Sequence, residues 1–171
     1  MPSLERVFVE TVERKLTQMC ARIGACLDRL NAEQVWMRGG EHENAIGNLV
    51  LHLCGNVRQW IGHGVGGQTD VRERDGEFDA RSGADPAELK ARLTAAVNDA
   101  LAVIRALDAE GLGRVIEVQG YSITVLEAVL HVTEHFSQHA GQIFLLTKHA
   151  TGEDLGFYRH LGRKVHAEKT P

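Results

Sequence analysis

Apolar residues at Leu4, Phe8, Val12, Leu16, Met19, Ile23, Leu27 and Leu30 recur every three or four positions, the spacing that gathers side chains on one face of a helix. One continuous amphipathic helix is predicted, roughly 40 Å long at ~1.5 Å per residue. Asn31 and the stretch through Gly39-Gly40 interrupt the pattern. Ile46, Leu49, Leu53, Trp60 and Ile61 then restore it, predicting a second helix over about residues 44–62. Gly62-His63-Gly64-Val65-Gly66-Gly67 contains the spacing G-x-G-x-x-G, whose use in dinucleotide binding needs a strand before it and a helix after it. Here a helix precedes it and a charged stretch follows, so it reads as a helix stop.

Residues 68–84 are polar, with Arg72-Glu73-Arg74-Asp75 alternating in charge, and read as a long loop of the kind that often carries function. Asp85-Pro86-Ala87-Glu88 is a helix start: an acidic N-cap, proline at the first helical position and glutamate placed for a capping box. The third helix follows through Leu89, Leu93, Ala96, Val97, Ala100, Ile104 and Leu107. Arg114-Val115-Ile116-Glu117-Val118 is β-branched and short, which predicts an extended connection. Thr124-Val125-Leu126-Glu127 has the capping-box pattern for a fourth helix, whose stripe of Val125, Val129, Val132, Phe136, Ile143 and Leu146 runs to near Lys148. The tail from Asp154 has aromatic surface to dock, in Phe157 and Tyr158, and a charged, mobile end is expected. Four amphipathic helices without a convincing sheet imply an all-α, four-helix bundle, and the long connections leave its order open.

A length of 171 residues, 43% hydrophobic, suits a single domain spanning 1–171. With 19 Lys+Arg against 23 Asp+Glu there is no basic excess to bind a nucleic-acid backbone. No apolar run approaches the ~18 residues of a membrane span, and Met1-Pro2-Ser3-Leu4-Glu5 lacks signal-peptide order, so no membrane partner and a cytoplasmic location are expected. Cys20, Cys26 and Cys54 form no C-x-x-C pair and read as reduced, mostly buried thiols.

The nine histidines carry the chemistry. His135 and His139, four residues apart on the fourth helix, project from one face with Cβ atoms roughly 5–6 Å apart, close enough for two imidazoles to reach one ion. They lie on the inward stripe beside Val132, Gln142 and Ile143, where an unpaired imidazole is costly. Two residues can supply a third ligand. His52 points inward on the second helix with Leu49 and Asn56, while His131 precedes His135 by four residues; periodicity does not choose between them. Asn56 and Gln142 can orient ligands or water. Arg58, Arg72 or Arg74 can hold an anionic substrate group, although exposed ion pairs are their commoner use. His42, His63, His149, His160 and His166 fall at helix ends, in loops or in the tail and read as solvated.

Ile46-Gly47-Asn48-Leu49-Val50-Leu51-His52-Leu53 and Glu134-His135-Phe136-Ser137-Gln138-His139-Ala140-Gly141-Gln142-Ile143 resemble the two metal-ligand segments of the DinB-like superfamily, in order and in separation. The stretch Arg72-Glu73-Arg74-Asp75-Gly76-Glu77-Phe78 is similar to an uncharacterised branch of it. The resemblance implies a bundle with one long crossover, related to mycothiol-dependent maleylpyruvate isomerases and bacillithiol transferases, and a homodimer. Carried over by position, it makes His52, His135 and His139 the ligands of one divalent ion and leaves His131 without a ligand role. Zinc or nickel is expected foremost, with iron or manganese as alternatives.

Three histidines without a fourth protein ligand leave coordination positions open, as in catalytic sites. The resemblance turns that towards a thiol-dependent S-transferase acting with a low-molecular-weight thiol on a small-molecule substrate, with activation of water as the hydrolytic variant. A metal-binding or stress-related protein without turnover, or an interaction module with structural histidines, are the alternatives. No residue is assigned as a general base.

Overall fold

The computed structural model describes residues 1–159, so His160, His166 and the charged end of the tail lie outside the described residues. Helix α1 (Leu4–Leu27) follows the first apolar stripe and buries Val9, Val12, Leu16, Ile23 and Leu27. The Asn31 side chain accepts from the Gln34 amide while the Gln34 side chain accepts from the Asn31 amide, and this reciprocal cap starts a short helix, α2 (Ala32–Trp36). A five-residue element is too short for apolar periodicity to reveal, which is why the stretch reads in sequence only as an interruption.

Helix α3 (Ile46–Val57) runs without a break into a π-helical segment at Arg58–Val65. The helical path therefore continues past the stop expected at Gly62. It ends at Gly66 and Gly67, where Gly67 takes a φ of 72° that a side chain would resist. The expected loop at 68–84 contains a further short helix, α4 (Arg74–Asp79). Asp85 caps α5 (Pro86–Arg105) by accepting from the Glu88 amide, with Pro86 in the first turn.

After the short α6 (Ala109–Gly113), the extended segment β1 (Val115–Val118) pairs antiparallel with β2 (Tyr121–Thr124), Val115 opposite Thr124 and Val118 opposite Tyr121. Gln119 and Gly120 both have positive φ, 51° and 79°, the backbone that a two-residue hairpin turn demands. Thr124 and Glu127 form the capping box of α7 (Val125–Thr151), which ends on left-handed Gly152.

Helix α1 packs on α5 and α7, and α3 packs on the same two, so α1 and α3 occupy opposite corners of the bundle. Successive long helices thus sit diagonally across the core twice, from α1 to α3 and from α5 to α7, which needs long connections rather than tight turns. Leu16, Ile23, Leu53, Leu93, Ile104, Phe136 and Ile143 fill the centre. Residues 153–158 dock on the bundle end: Arg29 donates to the carbonyls of Asp154 and Leu155, and Phe157 meets Phe144 edge-on at 5.0 Å.

The three cysteines are free, Cys26 and Cys54 buried, and burial pushes the Cys54 thiol up to about 12. Among the described residues, no helix is long and apolar enough to cross a membrane.

Leu93 is 1% exposed in the middle of α5, away from the histidines. Leu93→Ala is expected to lower unfolding free energy by about 2–5 kcal/mol, measured by urea denaturation, with the slope of the transition unchanged.

Candidate metal centre

The start of α3 is tied to the chain that follows it. Asn48, fully buried, accepts from the Ala45 amide at 3.1 Å and donates through Nδ2 to the carbonyls of Glu77 at 2.8 Å and Ala80 at 2.9 Å. Arg38 donates to Asn48 Oδ1 at 2.7 Å and to the carbonyls of Phe78 and Ala80. Gly47 lets the Trp36 ring lie flat against the helix, where a Cβ would meet it at 2.7 Å. The segment 77–80 is thereby pinned to α3 one turn before His52.

Pinning this segment delivers Glu77 to the histidine. Its Oε2 lies 2.9 Å from His52 Nδ1, and Arg72 clamps the carboxylate with Nε on Oε1 and Nη2 on Oε2, both at 2.8 Å. Arg72 also donates to Gln59 at 2.9 Å, and its side chain is only 4% exposed. Burial alone would raise the Glu77 carboxyl, but hydrogen bonds from Arg72 and His52, with the Arg72 charge, outweigh it and hold the group below its ordinary value. Glu77 is therefore ionised and can only accept, so the proton of His52 sits on Nδ1 and its Nε2 carries a lone pair. Gly55 leaves room for this: a Cβ there would overlap the Glu77 carboxylate.

On α7, His139 Nδ1 lies 2.7 Å from Gln142 Oε1. The amide oxygen cannot donate, so here too the proton is on Nδ1 and the lone pair on Nε2. Both lone pairs converge on His135, whose Nε2 is 3.0 Å from His52 Nε2 and 3.2 Å from His139 Nε2. One ligand atom from each ring lies within 4.8 Å of the others. Ligands held tetrahedrally at about 2.0–2.1 Å from a zinc-sized ion stand roughly 3.3–3.4 Å apart, close to the 3.0 and 3.2 Å that separate His135 Nε2 from its two neighbours. The group can hold a metal ion, and His52, 5% exposed, is its innermost member.

Burial, reinforced by the neighbouring histidines and Arg72, lowers His135 to about 3. Burial also lowers His139, against the Gln142 hydrogen bond, and lowers His131. His135 is thus neutral, the form that coordinates, well below neutral pH, and His139 is shifted in the same direction.

The remaining sequence candidates separate. His131 is not in the group; it lies against Trp60, tilted, at 4.1 Å between ring centroids, and 5.7 Å from the His135 ring. Gln142 orients His139, while Asn56 is buried with its Oδ1 unpartnered. Arg58 is placed away from the histidines, lining a cleft of about 410 Å³ against α5 with Cys54 and Asp99. Arg72 is neither exposed nor free for a substrate, because Glu77 occupies its guanidinium. Arg74 lies over the Phe78 ring, which itself covers His52 at 4.6 Å. His42 and His149 are exposed, and His63, half-buried, donates to the Gln68 carbonyl at 2.7 Å. Sequence reasoning missed Glu77 as a partner of His52. The signal available was Gly55, a mid-helix glycine one turn after His52, marking a close approach.

The four-helix bundle with a long crossover is a DinB-like fold, and solved structures share it. A conserved protein from Enterococcus faecalis matches with a TM-score of 0.73 at 12% identity, covering 90% of this chain and 100% of its own. A DinB-like protein from Bacillus subtilis, YjoA, matches at 0.67 and 15% identity, over 86% of this chain and 97% of its own. The chain belongs to the DUF1572 family, described as proteins of unknown function, whose family model matches residues 3–159. No curated protein matches it.

Alanine normally stabilises a helix interior over glycine by about 0.5–1 kcal/mol. Gly55→Ala is expected to do the reverse, lowering the melting temperature, because the new methyl evicts Glu77 from its contact with His52 and Arg72. A second expectation concerns pH. Both His135 and His139 are lowered in the folded chain, so the unfolded chain takes up protons first as pH falls below about 6.5. Metal-free protein should lose stability between pH 6.5 and 5, above the carboxylate range, and His135→Phe should flatten that slope; urea midpoints in the presence of a chelator measure both.

Proposed function

We propose that the chain binds one divalent metal ion, zinc or nickel, through Nε2 of His52, His135 and His139, and that it is an S-transferase-like enzyme activating a low-molecular-weight thiol, or water, for attack on an electrophile. The convergence of three ring nitrogens within 4.8 Å carries this reading. No fourth His, Cys, Asp or Glu joins the group among the described residues, which leaves coordination positions for an exogenous ligand.

When bound, the ion supplies Lewis-acid stabilisation of a thiolate or hydroxide near neutral pH. The chain sets the electrostatics around it. Three neutral imidazoles add no charge, and the negative charge of Glu77 is matched by Arg72 at 2.8 Å. The cation's charge is thus left for an incoming anion, a balance that favours thiolate or hydroxide over a neutral ligand. Phe78 shields one side of His52 and Gln142 holds the His139 ring in place.

Elemental analysis of protein purified without a histidine tag is expected to find about one divalent ion per chain, and much less in His52→Ala and His139→Ala. Equal metal in all three would overturn the site. Metal-loaded protein is then to be screened with a panel of thiols and electrophiles: conjugate formation dependent on the metal supports the transferase reading. Tight metal binding with no conjugation or hydrolysis assigns the protein to ion storage or sensing instead.

A further inference from the structure

The strap of residues 68–77 packs on α3 and its π-helical continuation, and two glycines let it lie close. A Cβ at Gly55 would overlap the Glu77 carboxylate, and one at Gly62 would stand 2.8 Å from Gln68 Oε1. Between these points Asp70 accepts from the Gln59 side-chain amide at 2.7 Å and from the Arg72 backbone N–H at 3.1 Å. Fastened in this way, the strap leaves a preformed space between itself and α5. This is the cleft of about 410 Å³ that Arg58 lines, a volume suited to a small molecule.

The floor of the cleft is short and apolar, with Cys54, Val57, Ala96 and Ala100 all buried there. At its mouth the aliphatic side chain of Val71 is 83% exposed. Of the charged groups lining it, Arg72 and Glu77 hold each other, Arg92 pairs with Glu88, and Asp70 bonds to Gln59. Arg58, Glu73 and Asp99 make no hydrogen bond or ion pair among the described residues. The helical path of α3 runs in the same direction as α5: the charges of Arg58 and Arg92 both reach the Cys54 thiol, and Gly66 lies against Val103. Arg58 and Asp99 thus stand about one turn apart on neighbouring helices and do not pair with each other.

We propose that this cleft binds a small zwitterion with an apolar tail, of which the aliphatic α-amino acids are the simplest class. Arg58 holds the carboxylate and Asp99 the ammonium, with Glu73 adding negative charge from the strap. The aliphatic side chain lies between the apolar floor and Val71, covering a residue otherwise left in water. An α-amino acid carries both charges on one carbon, which suits a cation and an anion that stand a turn apart and unpaired. Glu77 stands between the cleft and His52, so the site is separate from the histidines and does not depend on their holding an ion.

An NMR titration of the ¹⁵N-labelled full chain with L-leucine tests this. The protein is first treated with a chelator and dialysed, so that the amino acid cannot report by coordinating an ion at the histidines. The amides of Gly55, Gly62, Ala96 and Ala100 are expected to shift and saturate, while those of residues 131–139 stay in place. N-acetyl-L-leucine, which lacks the ammonium, and L-leucinamide, which lacks the carboxylate, are each expected to bind roughly 10-fold more weakly or worse. Arg58→Gln should weaken L-leucine by a similar factor and leave L-leucinamide unaffected, whereas Asp99→Asn should weaken L-leucine and leave N-acetyl-L-leucine unaffected. Both side chains are exposed, so the variants are expected to fold, which their melting temperatures check. No shift up to about 10 mM L-leucine, equal binding of the three compounds, or shifts confined to residues 131–139 would each overturn the cleft as a zwitterion site. So would lower melting temperatures in both variants with L-leucine binding intact, which would make Arg58 and Asp99 partners of each other.

Discussion

A carboxylate lying against a helix backbone needs a donor for each oxygen, and Glu77 finds them in Arg72 and His52. Neither partner could be buried alone. Arg72 at 4% side-chain exposure would be an uncompensated charge, and Glu77 without it would be driven towards its neutral form. The arrangement is therefore all or none, and it sets the histidine's proton. Everything that brings Glu77 to α3 acts on His52 at one remove: the Asn48 amide, the Arg38 guanidinium and the missing side chain at Gly55.

The bundle's connectivity provides the other half. Because α1 and α3 occupy opposite corners, α3 is left beside both α5 and α7, with its inward polar residues facing the last helix. The wide π-helical turns after Val57 carry Trp60 against His131. Aromatic surface thus closes one end of the polar seam, and Phe78 closes the side at His52. Water is thinned around the ring nitrogens without being shut out, since His135 and His139 remain half-buried.

The four long helices were legible because each carries five to eight apolar residues at helical spacing, a signal that local irregularity does not erase. His135 and His139 were legible for the same reason: four residues on a helix is a distance in space. His52 was not fixed by its own helix, since periodicity shows that it faces inward and not what it faces. Resemblance to known segments chose it over His131, and the fold brings it to 3.0 Å from His135. Glu77 was hidden altogether. In the charged stretch 72–79, no period distinguishes the one acidic side chain that turns inward from Glu73 and Asp75, which stay exposed. The β2 strand escaped for a related reason, because Tyr121–Thr124 is half polar and owes its form to the Gln119–Gly120 turn and its partner strand.

The ring nitrogens that meet at 3.0 Å come from residues 83 positions apart. On the ribosome, at about 5–20 residues per second, several seconds separate the emergence of His52 from that of His135. During that interval the nascent chain carries one of the three histidines and lacks the other two. Only the final long helix, inserted diagonally across the core, closes the constellation. The order of synthesis thus keeps the three ring nitrogens from meeting until the last long helix has been made.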